Sequence, residues 1–270
     1  VVATGGSGLL VAGPAVAAGH ARAAAGVWAM LDVGRTPAQG GDHVLTWLRR
    51  ALWDVVPRDH RQSPADLRRR QLVTAVFVAI GGLVLGLSLR IEPGSPWFYP
   101  ATLVLAGVWV VGAFASGPLH LGRIDTGTSL RRPVIMPVAI GLALAGLFVV
   151  GALLVRQVDF LETQVRSVLD HADSGSWPLL LLVTVVNGIA EELFFRGAAY
   201  AAIPVHPVAW TTLAYTIATL ATGNLMLAFA AVLLGAVVGL ERRSSGGVLA
   251  PILTHCTWSV IMLFALPALF

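Results

Sequence analysis

The sequence predicts an all-α fold: a polytopic membrane helix bundle of about seven transmembrane helices plus amphipathic surface helices. Three observations carry that expectation. Apolar residues make up 56% of the 270-residue chain and charged residues only 12%, with mean hydropathy +0.79, whereas a soluble domain carries about 25% charge. Seven segments, 72–90, 98–116, 134–155, 177–203, 207–222, 224–240 and 247–268, approach the roughly 20 apolar residues that a span requires. The cations, finally, collect in alternate loops. This balance excludes a soluble cytosolic enzyme, a disordered tail and a disulfide-stapled secreted domain. The single cysteine, Cys256, excludes an internal disulfide and leaves the redox compartment unread.

The elements follow in chain order. Residues 1–45 are rich in Ala and Gly and lack a sustained Leu/Val run, so a surface-lying segment, an extra span and an interfacial helix all remain open. The chain opens with Val1-Val2 and no initiator Met, so native residues are expected before it. The arginine-rich stretch 41–70 sets Trp47, Leu48, Leu52 and Trp53 among charges, the pattern of an amphipathic helix at a headgroup interface. Residues 156–173 place Val158, Leu161, Val165 and Leu169 on one face, a second surface helix between two spans. Gly223-Asn224 is expected to form the tight turn between the fifth and sixth spans. No internal repeat or low-complexity linker divides the chain. Three regions are distinguished: 1–70, an interfacial segment; 71–176, three spans and a surface helix; and 177–270, four helices carrying the polar site. The eight tryptophans, Trp28, Trp47, Trp53, Trp97, Trp109, Trp177, Trp210 and Trp258, read mostly as interfacial anchors.

Charge sets orientation. Arg68-Arg69-Arg70, then Arg123, Arg131 and Arg132, then Arg242-Arg243 lie in loops of one parity. The other loops hold Glu92, Asp159, Glu162, Asp170 and Asp173 with two arginines. The positive-inside rule therefore puts the N-terminus in the cytoplasm and the C-terminus outside. All 18 basic residues are arginine, as in a GC-rich bacterial genome, so the bacterial inner membrane is the expected location. The pI of about 10.2 has the same explanation. No aromatic-interleaved basic stripe accompanies it, so nucleic acid is not an expected partner. The lipid bilayer is.

Between Trp177 and Leu240 only three residues are charged, Glu191, Glu192 and Arg196, all within Asn187-Gly188-Ile189-Ala190-Glu191-Glu192-Leu193-Phe194-Phe195-Arg196-Gly197. A charge at the bilayer centre costs about 2.5–3.5 kcal/mol on insertion scales, so such residues mark a functional site by default. Glu192 and Arg196 stand one helical turn apart and pair on one face. Glu191 points about 100 degrees away, toward a different neighbour, with Asn187 one turn before it as a potential donor. The bland alternative for Glu192–Arg196 is a packing ion pair that fixes helix register. His255 lies in Ala250-Pro251-Ile252-Leu253-Thr254-His255-Cys256-Thr257-Trp258-Ser259. At 1.5 Å per residue it stands roughly 12 Å from the cytoplasmic side, and Glu191 roughly 18–20 Å. The two are therefore expected to face one cavity, with Ser259 one turn beyond His255.

These motifs resemble the CAAX-protease and bacteriocin-processing (CPBP, or Abi) family of intramembrane proteases, over residues 177–262. The resemblance rests on Glu191-Glu192-Leu193-Phe194-Phe195-Arg196-Gly197, which is similar to the family's EExxxR motif. It rests also on Ser244 to Ser259, similar to its small-residue turn and closing His motif. It implies an intramembrane endopeptidase with Glu191 as general base toward water, Glu192 and Arg196 bracing it, and His255 and Ser259 as oxyanion donors. It also implies a middle-motif histidine, which this chain lacks: the matching positions are Thr219 or Thr222, after Tyr215, and His206 stands at the turn before. Two readings follow, an active endopeptidase acting on a lipoprotein-like peptide, or a catalytically degenerate scaffold that stabilises a membrane-protein partner. No cofactor is expected. Zinc is poorly supported, since Glu191 and His255 supply two of the usual three protein ligands and no HExxH occurs.

Overall fold

A computed structural model of the chain describes residues 41–57 and 60–270; the alternatives for the Ala/Gly-rich start, and Trp28, lie outside these residues. Thr46–Phe270 forms one unit. Its elements are helical apart from one two-residue strand pair. Helix α1 (Gly41–Leu52) is followed by α2 (Pro64–Ser88), α3 (Phe98–Ser116), strands β1 (Ile124–Asp125) and β2 (Leu130–Arg131), and α4 (Ile135–Val155). Then come α5 (Asp159–Asp173), α6 (Trp177–Ala202), α7 (Pro207–Leu220), α8 (Leu225–Ser245) and α9 (Leu249–Ala265).

Each of the seven apolar segments is a helix, but five of them, α2, α3, α4, α6 and α8, have the length and composition to cross a membrane. Of the expected count of about seven transmembrane helices, five are supported by length and composition. α7 has 14 residues and α9 has 17, which at 1.5 Å per residue gives about 21 and 26 Å. The first span also begins earlier than expected. Ser63 caps α2, its hydroxyl accepting from the Asp66 N–H, and Pro64 occupies the first helical position. Arg68, Arg69 and Arg70 therefore lie within its first two turns and not in a preceding loop.

The expected turn between α7 and α8 is present. Gly223 adopts φ +76°, and the Asn224 side chain caps α8 by accepting from the Leu227 N–H at 2.9 Å. Asn224 also donates to the Gln164 carbonyl of α5, which fastens the surface helix beneath this turn. On α5 only part of the expected apolar face is covered: Leu169 is buried, Leu161 and Val165 are half-buried, and Val158 precedes the helix and is exposed. α1 buries Ala51 against Ile124 and Ile140, with Trp47 and Leu52 alongside, while Leu48 and Trp53 remain exposed.

Lipid gives little hydrophobic drive to helix association, so close packing and small residues must hold the bundle together. α2 packs on α3, α3 on α6, α6 and α4 on α9, and α7 on α8. A Cβ at Gly112 of α3 would sit 2.6 Å from the Phe77 ring of α2. One at Gly141 of α4 would sit 2.8 Å from the Thr254 carbonyl of α9. The largest core cluster gathers Trp109 of α3 with Phe194 and Phe195 of α6, at ring separations of 4.8 and 5.0 Å. Trp109 is 1% exposed; it is a core residue, not an interfacial anchor. Trp258 likewise packs inward, on Phe148 and His255.

Trp109→Ala is expected to destabilise the protein by about 3 kcal/mol, the low end of the aqueous range, because lipid removes part of the transfer term and leaves the cavity. Thermal unfolding in detergent measures it.

Candidate functional site

α6 is not α-helical throughout. Leu193–Ala199 forms a π-helical turn immediately after Glu191 and Glu192. Such turns arise mostly as single bulges inside α-helices and often at functional sites. Here the widened turn is packed solid: Phe194, Phe195, Arg196 and Ala198 are fully buried. Arg196 is thus delivered to the interior with its charge, and two contacts answer it: its Nη1 donates to Glu192 Oε1 at 2.9 Å, and its guanidinium lies 4.9 Å over the Tyr215 ring. Its backbone carbonyl accepts from Arg242 Nε at 2.6 Å.

Glu192, also fully buried, serves two partners through one oxygen. Oε1 takes the Arg196 bond and lies 2.7 Å from His255 Nδ1 on α9. A carboxylate paired with a guanidinium has only acceptor capacity, so Nδ1 carries the hydrogen and donates. The imidazole is thereby fixed in orientation, and its Nε2 faces Glu191 Oε2 at 4.0 Å. The same Glu191 oxygen accepts the Tyr215 hydroxyl of α7 at 2.7 Å. Four helix segments therefore meet: two acids on α6, Arg196 on its π turn, a phenol on α7 and an imidazole on α9. Glu191 is the open member, with 14% of its side chain exposed against none for Glu192 and Arg196.

The structure thus brings together Glu191, Glu192, Arg196 and His255. It leaves other candidates apart. Thr219 donates to the Tyr215 carbonyl within α7, and Thr222, in the turn after it, donates to the Thr219 carbonyl and accepts from the Asn224 N–H, so both hydroxyls are bonded locally. Ser259 is half-buried one turn beyond His255, and among the described residues no hydrogen bond joins it to the cluster. Asn187 donates to the Val183 carbonyl and not to Glu191, because the α-helical turn offers that acceptor at 2.9 Å. His206 is exposed at the head of α7, with φ +50°. Tyr215 is the residue that sequence reasoning undervalued. It stands at the aromatic position of the middle motif, one turn before Thr219, and that position was the available signal.

Glu241, just past the stretch 177–240 that holds only three charges, is a further buried acid that the sequence analysis did not single out. It is 1% exposed and accepts from the Thr254 hydroxyl at 2.8 Å, tying α8 to α9 beside His255. Among the described residues no group of three or more His, Cys, Asp or Glu side chains is placed to hold a metal ion.

Residues 173–261 match the Rce1-like family, type II CAAX prenyl endopeptidase Rce1-like. The Rce1-like segment runs from the end of α5 through most of α9 and contains every member of the polar cluster. The matched family is of the same CAAX-type kind as the family that the Glu191–Gly197 motif resembles. No curated protein and no solved structure matches the chain.

Arg196 and Glu192 are both fully buried within the matched segment. Arg196→Ala is expected to cost about 3–5 kcal/mol, since it strands Glu192 in the interior. Adding Glu192→Gln to that variant is expected to recover part of the loss. Yield and unfolding temperature of the three proteins in detergent check both outcomes.

Proposed function

We propose that the protein is an intramembrane endopeptidase in which Glu191 activates water against a peptide carbonyl. The observation that carries this reading is the setting of Glu191 Oε2, 2.7 Å from the Tyr215 hydroxyl and 4.0 Å from His255 Nε2. A separation of 4.0 Å is too long for a direct hydrogen bond and of a size that a water molecule bridges. Glu191 takes a proton from that water as its oxygen bonds to the carbonyl carbon. The carbonyl π electrons move to oxygen, and His255 Nε2, when it carries a proton, donates to the oxyanion. Collapse breaks the C–N bond, and the proton on Glu191 passes to the leaving amine. Glu192 and Arg196 act behind this, holding His255 in register. Ser259 is a further donor toward a substrate entering from its side of α9. No cofactor enters the scheme.

The substrate class is a peptide segment held in or at the bilayer, as in a lipoprotein-like or C-terminally anchored chain. The arginines in the first turns of α2, in the β1–β2 segment and in the last turn of α8 support a cytoplasmic N-terminus and an external C-terminus, and the all-arginine cation set supports a bacterial inner membrane. Of the three chain regions, we assign the chemistry to 177–270, the support of its π turn to 71–176, and an interfacial role to 1–70.

A second reading has its own observation. α7 and the turn after it offer Tyr215, Thr219 and Thr222 where a proton-accepting imidazole is the resemblance's expectation, and a hydroxyl is no base near neutral pH. On that reading the same cluster is structural, and the protein stabilises a membrane partner.

Glu191→Gln separates them. The endopeptidase reading expects hydrolysis of a membrane-embedded peptide reporter to fall by about 10²–10⁴-fold with the unfolding temperature little changed. Tyr215→Phe should give a smaller loss. Indistinguishable reporter cleavage by wild type and Glu191→Gln, with the deletion strain alone losing a partner complex, is the scaffold's signature.

A further inference from the structure

Glu241, near the C-terminal end of α8, is a buried acid that water activation at Glu191 leaves unused. It is 1% exposed, and its Oε2 has no hydrogen-bond partner among the described residues. No ion pair among those residues includes it, whereas Glu192, equally enclosed, is met by the Arg196 guanidinium at 2.9 Å. Arg242, next in sequence, donates to the Arg196 carbonyl and lies 4.8 Å over the Tyr200 ring. The charge that reaches Glu241 from α6 is that of Glu192, of the same sign. An ionised carboxylate enclosed without a counter-charge is so costly that such groups take up a proton instead.

The count of hydrogens points the same way. The Thr254 hydroxyl oxygen lies 2.8 Å from Glu241 Oε1 and 2.9 Å from the Pro137 carbonyl oxygen of α4. Both are hydrogen-bonding separations between oxygen atoms. A threonine hydroxyl carries one hydrogen and a carbonyl none. With Glu241 ionised, Thr254 donates to one of the two neighbours, and the other contact is left with two oxygens and no hydrogen. With Glu241 protonated, both contacts are filled, because the carboxyl O–H supplies the second hydrogen.

We propose that Glu241 is held as the neutral carboxylic acid and is a positioning residue. It donates to Thr254, Thr254 donates to Pro137, and the two bonds hold α9 against α8 and α4. The tie falls where α4 and α9 approach through Gly141 and the Thr254 carbonyl. Thr254 immediately precedes His255, so the same tie sets the turn that presents the imidazole to Glu192. The inference stands for a hydrolytic and for a structural cluster alike.

The test is infrared spectroscopy of the full chain, stripped of lipid, in a detergent without ester groups and near neutral pH. A glutamate of ordinary pKa, about 4.3, is ionised there and gives no carboxylic-acid carbonyl band. The difference between wild type and Glu241→Gln is expected to show one such band, sensitive to heavy water, that the variant lacks. Glu241→Gln keeps a neutral donor at the same reach and is expected to unfold at the wild-type temperature. Thr254→Ser should leave both band and temperature unchanged. Thr254→Val removes both bonds and is expected to shift the band and to lower the unfolding temperature by about 2–4 °C for each bond lost. Should Thr254→Val not fold, Glu241→Gln and Thr254→Ser decide on their own. A carboxylate band in place of the acid band, a Glu241→Gln protein that is unfolded or strongly destabilised, or an acid band unmoved by Thr254→Val overturns the proposal.

Discussion

The arrangement depends on one buried charge being answered: the Arg196 guanidinium, fully enclosed, against Glu192. Removing two such groups from water costs several kcal/mol each unless their remaining hydrogen-bonding positions are used. Here Glu192 Oε2 and Arg196 Nε and Nη2 have no hydrogen-bond partner among the described residues, so the pair is only partly compensated. One oxygen of Glu192 nevertheless serves both Arg196 and His255, and the Tyr215 ring covers the guanidinium face. The pair therefore does more than neutralise itself. It fixes the distance between α6 and α9 and aims the imidazole, because a carboxylate that cannot donate dictates which ring nitrogen carries the hydrogen. The open carboxylate, Glu191, inherits its surroundings from that decision.

Much of the frame was legible in the sequence because helix periodicity and loop charge are local signals. Every apolar segment became a helix, and the Gly223-Asn224 turn formed where its residue types require one. Glu192 and Arg196 met as a four-residue spacing dictates, and depth counting brought Glu191 and His255 to one level. What was hidden is non-local. Nothing at residue 109 distinguishes a tryptophan facing Phe194 from one facing a headgroup. The π turn, with hydrogen bonds one residue longer than in an α-helix, has no composition signature in Leu193–Ala199. The true partner of Glu191 was hidden for a related reason. An imidazole was expected at Thr219 or Thr222, while the hydroxyl that reaches across comes from Tyr215, the aromatic one turn before Thr219.

The core and the polar cluster are continuous. Phe195 packs on both Trp109 and Tyr215, at 5.0 Å in each case, so the phenol that touches Glu191 is braced by a ring braced in turn by α3. Glu241 and Thr254 do the same for α9 from the other side. Positioning of this kind matters because displacement of a reacting group by about 1 Å can cost a hundredfold in rate. The helices that lie outside the Rce1-like segment thus belong to the geometry of the site.

The shortness of α7 has a consequence for the lipid. Its 14 residues reach about 21 Å, against a hydrocarbon layer of about 30 Å, yet Leu213, Ile217 and Leu220 are exposed along it. A helix of this length falls short of the hydrocarbon layer, and a bilayer resting on its apolar face would be expected to thin there. Tyr215 stands on the same helix, so thinning beside α7 would bring the polar boundary closer to Glu191, and hydration of the cluster would then depend on the surrounding lipid as well as on the protein.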